Sequence, residues 1–163
     1  MKSRGKKFED HFKQDWLESV PTSLCYRLYD SMNGYSGIGN VGDFVLYKEP
    51  YCFLIDCKST DSNTLNFADI RQYERMLEYK NIPGLHVGVI WWSIKNDKVI
   101  WIPIETLEKI KKEDKKSYNI KMLDDPNYVS FEIESKKLRT FMKTDYSDFI
   151  KKIAKVDFAR RIS

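Results

Sequence analysis

An acid and a base stand two positions apart at the end of an apolar run, in Tyr51-Cys-Phe-Leu-Ile-Asp56-Cys-Lys58. Successive side chains of a strand point to opposite faces. Leu54, Asp56 and Lys58 therefore share one face, and Phe53, Ile55 and Cys57 the other. Opposite charges at the end of a buried strand are costly unless they pair, bind a metal or do chemistry. Upstream, Gly42-Asp43-Phe44 brings a second carboxylate to the start of another apolar run, Phe44 to Tyr47. Lys48-Glu49-Pro50 reads as a tight connection between the two runs. An antiparallel hairpin is predicted, with Asp43 and Asp56 opposite each other at its open end.

Two carboxylates and one ammonium so placed would form a divalent-metal site with a charged helper. Hard oxygen ligands suit Mg²⁺ or Mn²⁺, which keep several waters and take one or two protein carboxylates. A metal there would lower the pKa of a bound water and offset charge on a phosphate under attack, as phosphodiester hydrolysis requires. Lys58 would hold or deprotonate the attacking water, or stabilise the developing charge. Gln72, on the next predicted helix, would add an amide, and Glu9, on the first, a third acid. Each residue also has a plainer meaning. Asp56 and Lys58 fit a strand-end ion pair, Asp43 after Gly42 fits a turn, and Glu9 and Gln72 fit ordinary helix surfaces. His11 and His86 are isolated and receive no role. The glycines between 34 and 42 match no nucleotide fingerprint, and no nucleophile elbow or Cys-His pair is present.

The elements that must hold these groups follow from hydrophobic spacing. Phe8, Phe12, Trp16 and Leu17 predict an amphipathic helix over residues 4–19, with Glu9 on the border of its apolar face. Leu24 to Tyr29 reads as a strand, 30–42 as the longest loop, and 59–66 as a polar connection. Phe67, Ile70, Tyr73, Met76 and Leu77 predict a helix over 67–80, stopped by Asn81-Ile-Pro-Gly84. Leu85 to Trp92 is a central strand, Lys98 to Ile102 its neighbour, and Glu105 to Lys112 a helix. Tyr128 to Ile133 reads as a strand and Tyr146 to Phe158 as a basic helix. The sum is one α/β domain over 1–163 with a mixed sheet, its core within about residues 4–110 and its C-terminal part less regular.

A chain of 163 residues hides about 70% of its unfolded surface, and 42% apolar residues argue against disorder. Neither a run of roughly 20 apolar residues nor an apolar signal core is seen, so a cytoplasmic protein is expected. Cys25, Cys52 and Cys57 lack metal-ligand spacing and read as buried free thiols. The net charge of +4 is uneven. Lysines and arginines crowd residues 2–7, 109–116 and 151–161, a footprint for a polyanion or simply a solvated face. The aromatic-rich segments Tyr26–Tyr35 and Phe141–Phe158 are candidates for an interface or for base contacts.

Gly5-Lys-Lys-Phe-Glu9, Gly42-Asp43-Phe44, Phe53-Leu-Ile-Asp56-Cys-Lys58-Ser-Thr60 and Asn66-Phe67 leading to Arg71-Gln72-Tyr-Glu-Arg-Met76 occur in that order. Gly88-Val-Ile-Trp-Trp92 and Val99-Ile-Trp-Ile102 follow. This succession, over about residues 4–110, resembles the PD-(D/E)xK nuclease superfamily. More narrowly it is similar to the RecU-type Holliday-junction resolvases of Gram-positive bacteria and their phages. The resemblance implies a restriction-endonuclease-like α/β core with a mixed central β-sheet flanked by helices. It also implies a homodimeric, Mg²⁺-dependent endonuclease that cuts four-way junctions symmetrically in DNA recombination and repair, in a bacterial host cytoplasm. Asp43 and Asp56 would be metal ligands, joined by Glu9; Lys58 would be the catalytic lysine and Gln72 an accessory. Two features differ from that family. Asp56 stands where its members usually carry Glu, and residues 30–42 contain no Lys or Arg where they have a long basic stalk. A nuclease of the same fold acting on duplex or other DNA, and a catalytically silent DNA-binding module, are the alternatives.

Overall fold

A computed structural model describes residues 4–29 and 40–162. The elements run α1 (Arg4–Ser19), β1 (Leu24–Arg27), β2 (Phe44–Lys48), β3 (Tyr51–Thr60), β4 (Thr64–Asn66), α2 (Tyr73–Leu77), β5 (Leu85–Ser93) and β6 (Lys98–Pro103). They continue as α3 (Ile104–Lys112), β7 (Ser117–Asn119), β8 (Phe131–Ile133), β9 (Ser135–Lys137), β10 (Met142–Thr144) and α4 (Tyr146–Ile162). Six strands form one mixed sheet in the order β1-β2-β3-β5-β6-β8. β3 and β5 are parallel and the other pairs antiparallel. The predicted hairpin is present, with Lys48 opposite Tyr51 and Phe44 opposite Ile55 across the Glu49-Pro50 connection.

Alternation along β3 divides the molecule into two cores. Phe53, Ile55 and Cys57 face α1 and α4, where Phe12, Trp16, Phe44, Trp101, Tyr146 and Phe149 are all but completely buried. Leu54 faces the other side with Val87, Val89, Trp91, Ile100 and Ile102, under α2, α3 and the small β4–β7 ladder. Full burial of a large apolar side chain contributes about 1.5–3 kcal/mol. The ten-residue β3, flanked by β2 and β5, is thus held from both faces and both edges, a rigid base for side chains at its far end.

Several elements differ from their expected bounds. The helix expected over 67–80 is a 3₁₀ turn, Phe67–Asp69, followed by the short α2. The Phe67 amide donates to Lys116 O (3.1 Å), so the segment enters by extending the β4–β7 ladder rather than by starting a helix. Its apolar residues still reach the core, because a spacing of three also suits a 3₁₀ turn. The strand expected from Tyr128 is confined to β8, since Tyr128 turns back with its amide bonded to Asp125 O. The polar connection 59–66 contains the end of β3 and all of β4, and the last helix runs on to Ile162.

Residues beyond 110 complete both cores: Tyr118 and Tyr128 on one side, Ile133, Tyr146, Phe149 and Ile153 on the other. The aromatics of Phe141–Phe158 are therefore mostly internal, with Phe158 the exposed exception. Of the three free thiols only Cys57 is buried; Cys25 and Cys52 are half-buried. The glycine-bearing loop expected over 30–42, and with it the end of the Tyr26–Tyr35 segment, lies for residues 30–39 outside the described residues. No described helix is long and apolar enough to cross a membrane.

Candidate active site

The carboxylates of Asp43 and Asp56 meet because two backbones come unusually close. The Asp43 amide donates to Ile55 O (2.8 Å), and its carbonyl accepts from the Leu28 amide (2.7 Å). Its Oδ2 accepts from the Cys57 amide (2.7 Å), taking the place of a strand carbonyl. Held by all three bonds, the side chain lies along β3 beside Asp56. Gly42 makes the approach possible, since a Cβ there would stand 2.8 Å from Ile55 O.

Asp56 is fully buried, with 0% of its surface exposed. Lys58 Nζ lies 3.1 Å from its Oδ2, yet neither carboxylate oxygen accepts a well-aligned hydrogen bond. Buried carboxylates are normally satisfied by several donors, and Asp56 falls well short of that. The strain appears in its neighbour. Burial, followed by the charge of Asp56, pushes the Asp43 carboxyl up to about 8. The Cys57 amide and Lys58 only partly oppose that shift. Two carboxylates this close cannot both ionise cheaply unless a cation joins them. At Lys58 burial works against the charge. The fields of Asp56 and Asp43 outweigh it, so the ammonium holds its proton more firmly than an ordinary lysine. Lys58 is thus a fixed positive charge at the mouth of the site rather than a ready base.

Glu9 approaches from α1. Burial raises its pKa first and the charge of Asp43 second, while Arg27 and Lys58 pull it down. Its carboxylate is already engaged by a short contact to the Arg27 guanidinium, which also donates to Asp10 Oδ1 (2.9 Å). Arg27 was not singled out by sequence, where it is one residue of an apolar strand. The available sign was a lone arginine in Leu-Cys-Tyr-Arg-Leu-Tyr, pointing toward α1 and needing acids there. The structure makes it the group that sets the direction of Glu9.

Gln72 sits at the start of α2 with its Oε1 buried and without a hydrogen bond, so none joins that oxygen to Lys58. His11 stacks on Phe141, and His86 lies 3.5 Å from Asp157, so neither joins the site. Among the described residues no group of three or more His, Cys, Asp or Glu is arranged to hold a metal. The preformed part is Asp43 with Asp56. That pair fits a hard cation which keeps most of its waters: the Asp56 oxygens lack a hydrogen bond, and the Asp43 carboxylate, bonded at Oδ2 to the Cys57 amide, repels them.

No protein-family model matches the chain, and no curated protein matches it. Among solved structures it is similar to Hjc of Archaeoglobus fulgidus, a Holliday junction resolvase from an archaeal hyperthermophile. The TM-score is 0.54, with 17% identity, over 78% of this chain and 95% of that one. The fold is restriction-endonuclease-like. Its mixed six-stranded sheet with helices on both faces is the architecture the sequence pattern implied.

Proposed function

We propose that this protein is a Mg²⁺-dependent endodeoxyribonuclease of the PD-(D/E)xK type that hydrolyses phosphodiester bonds in branched DNA, four-way junctions foremost. One observation carries the reading: a fully buried Asp56 whose oxygens lack aligned donors, beside a second buried carboxylate that is driven to keep its proton. A structural ion pair would have no need of Asp43 at that place. The fold likeness to an archaeal Holliday junction resolvase supports the choice of substrate, as do the RecU-like motif order and the basic clusters.

When bound, a divalent ion would supply Lewis-acid charge and a water of lowered pKa. Asp43 and Asp56 would hold it, with Mn²⁺ as a substitute for Mg²⁺. Lys58, held cationic 3.1 Å from Asp56, is placed to donate to a non-bridging phosphate oxygen as charge accumulates there. Glu9, directed by Arg27, stands as an outer acid that would bind a metal-held water or join the ligands. Gln72 is proposed only as an accessory that reaches the substrate side. A two-fold homodimer suits two symmetric cuts.

The test is cleavage of matched four-way-junction, linear-duplex and single-stranded DNA, with Mg²⁺ and with chelator. Paired symmetric nicks confined to the junction are expected. Equal cutting of duplex would remove junction selectivity while keeping the nuclease, and no cutting of any substrate would overturn the enzyme.

A further inference from the structure

A groove of about 590 Å³ opens beside the β4–β7 ladder, lined by Phe67, Lys111, Asp114, Lys115 and Lys116 among others. Lys58 is paired across the sheet with Trp91. The Trp91 indole donates to Thr60 Oγ1 (2.8 Å), and its ring meets that of Tyr118, on β7, edge-on at 5.7 Å. Lys116 lies two residues before Tyr118. The groove is therefore tied by packed, buried groups to the strand that carries Asp56 and Lys58, and it belongs to the same side of the sheet.

Its chemistry is cationic over an aromatic floor. The Phe67 and Tyr73 rings pack edge to face at 5.6 Å, and Lys111 Nζ stands 4.5 Å over the Tyr73 ring while pairing with Glu74 (3.0 Å). Lys115 pairs with Glu113 at 3.2 Å. The Lys116 ammonium has no ion pair or hydrogen bond among the described residues. Three ammonium groups thus border the groove against one lining carboxylate, Asp114. The Lys111–Glu74 pair is largely exposed, so solvent and salt hold it weakly and a phosphate can replace the partner. Lys115 is also bound to the Tyr128 hydroxyl and is held more firmly.

Building on the DNA-directed reading above, we infer that this groove is a phosphate-backbone seat, which carries one arm of the DNA away from the cutting centre along the catalytic side of the sheet. The occupant is a sugar–phosphate backbone because the groove sets three ammonium point charges around the Phe67 ring, with Asn66 as its one side-chain amide. Such contacts position the substrate without selecting its sequence.

The experiment is binding of a labelled four-way junction and a matched duplex, in chelator so that nothing is cut, across a salt series. Each phosphate contact contributes about 0.9 to the slope of log affinity against log salt on duplex DNA. The triple variant Lys111→Gln/Lys115→Gln/Lys116→Gln is expected to flatten that slope by about 2 to 3 and weaken binding roughly tenfold or more at moderate salt. Lys116→Gln alone, which breaks no contact in the fold, is expected to flatten it by about 1. Asp114→Asn is expected to tighten binding; Asn tolerates the left-handed backbone at this position (φ 59°). Wild-type binding with an unchanged slope in Lys116→Gln and in a folded triple variant would overturn the groove but leave the nuclease. Failure of the wild-type protein to bind either DNA would overturn both.

Discussion

Asp15 and Asp56 are both aspartates buried against the same sheet, and the difference between them separates a structural acid from a chemical one. Asp15 lies in the interior of α1, where its Oδ2 accepts the Thr144 amide (3.0 Å) and fastens the end of β10 to α1. Burial raises its pKa, and the Thr144 amide opposes that shift. No second carboxylate shares its proton. Asp56 is more deeply buried yet lacks an aligned donor, and it has Asp43 at its side. Burial is thus common to both aspartates, and a raised pKa to Asp15 and Asp43, so neither alone marks a site. Missing hydrogen bonds together with a like-charged neighbour do.

Substitutions can break this comparison in order of effect. Asp56→Asn should reduce metal-dependent cleavage by about 10³-fold or more while circular dichroism shows the fold retained, because it would remove a charged ligand of the proposed metal. Lys58→Ala should lower turnover by about 10²-fold and spare DNA binding, measured by single-turnover cleavage beside equilibrium binding. A parallel fall in both would mean that Lys58 only holds the substrate. Gly42→Ala forces a Cβ to 2.8 Å from Ile55 O and so displaces Asp43; turnover should drop about tenfold with binding intact. Asp15→Ala should leave turnover per folded molecule within about twofold. In urea unfolding it should cost about 1–3 kcal/mol, since the Thr144 amide loses its acceptor.

The smallest effect is on pH. The Asp43 carboxyl is raised to about 8 in the fold, so the folded chain binds that proton more tightly than the unfolded one. This contribution is complete below the ordinary carboxylate pKa and is lost as pH rises through about 8. The metal-free melting temperature should therefore decline toward alkaline pH, and Asp43→Asn should flatten the decline. An unchanged slope in that variant would mean the two carboxylates are farther apart than the structure has them.

The hairpin that carries the candidate site was legible in the sequence because its signals are local. A period of two along Phe53–Lys58 and the tight Lys48-Glu49-Pro50 connection fix which residues face each other. Arg27 was not legible, because its meaning lies in Glu9 and Asp10, which a separate element carries past it. The helix expected over 67–80 failed for a related reason. Phe67, Ile70, Tyr73 and Met76 recur every three residues, which fits a helix and a chain of turns equally, and the Lys116 carbonyl decided between them. The C-terminal third reads as irregular because its strands are three residues long, and β7 and β8 pair with strands distant in sequence while β9 and β10 pair only with each other.

The most direct measurement is calorimetric titration of Mn²⁺ into the wild-type protein and into Asp56→Asn, with Asp15→Asn as the buried-aspartate control. Binding that persists in Asp15→Asn and disappears in Asp56→Asn is expected if the Asp43–Asp56 pair is the metal seat. Equal binding in all three proteins would place the metal elsewhere and contradict the active site described above.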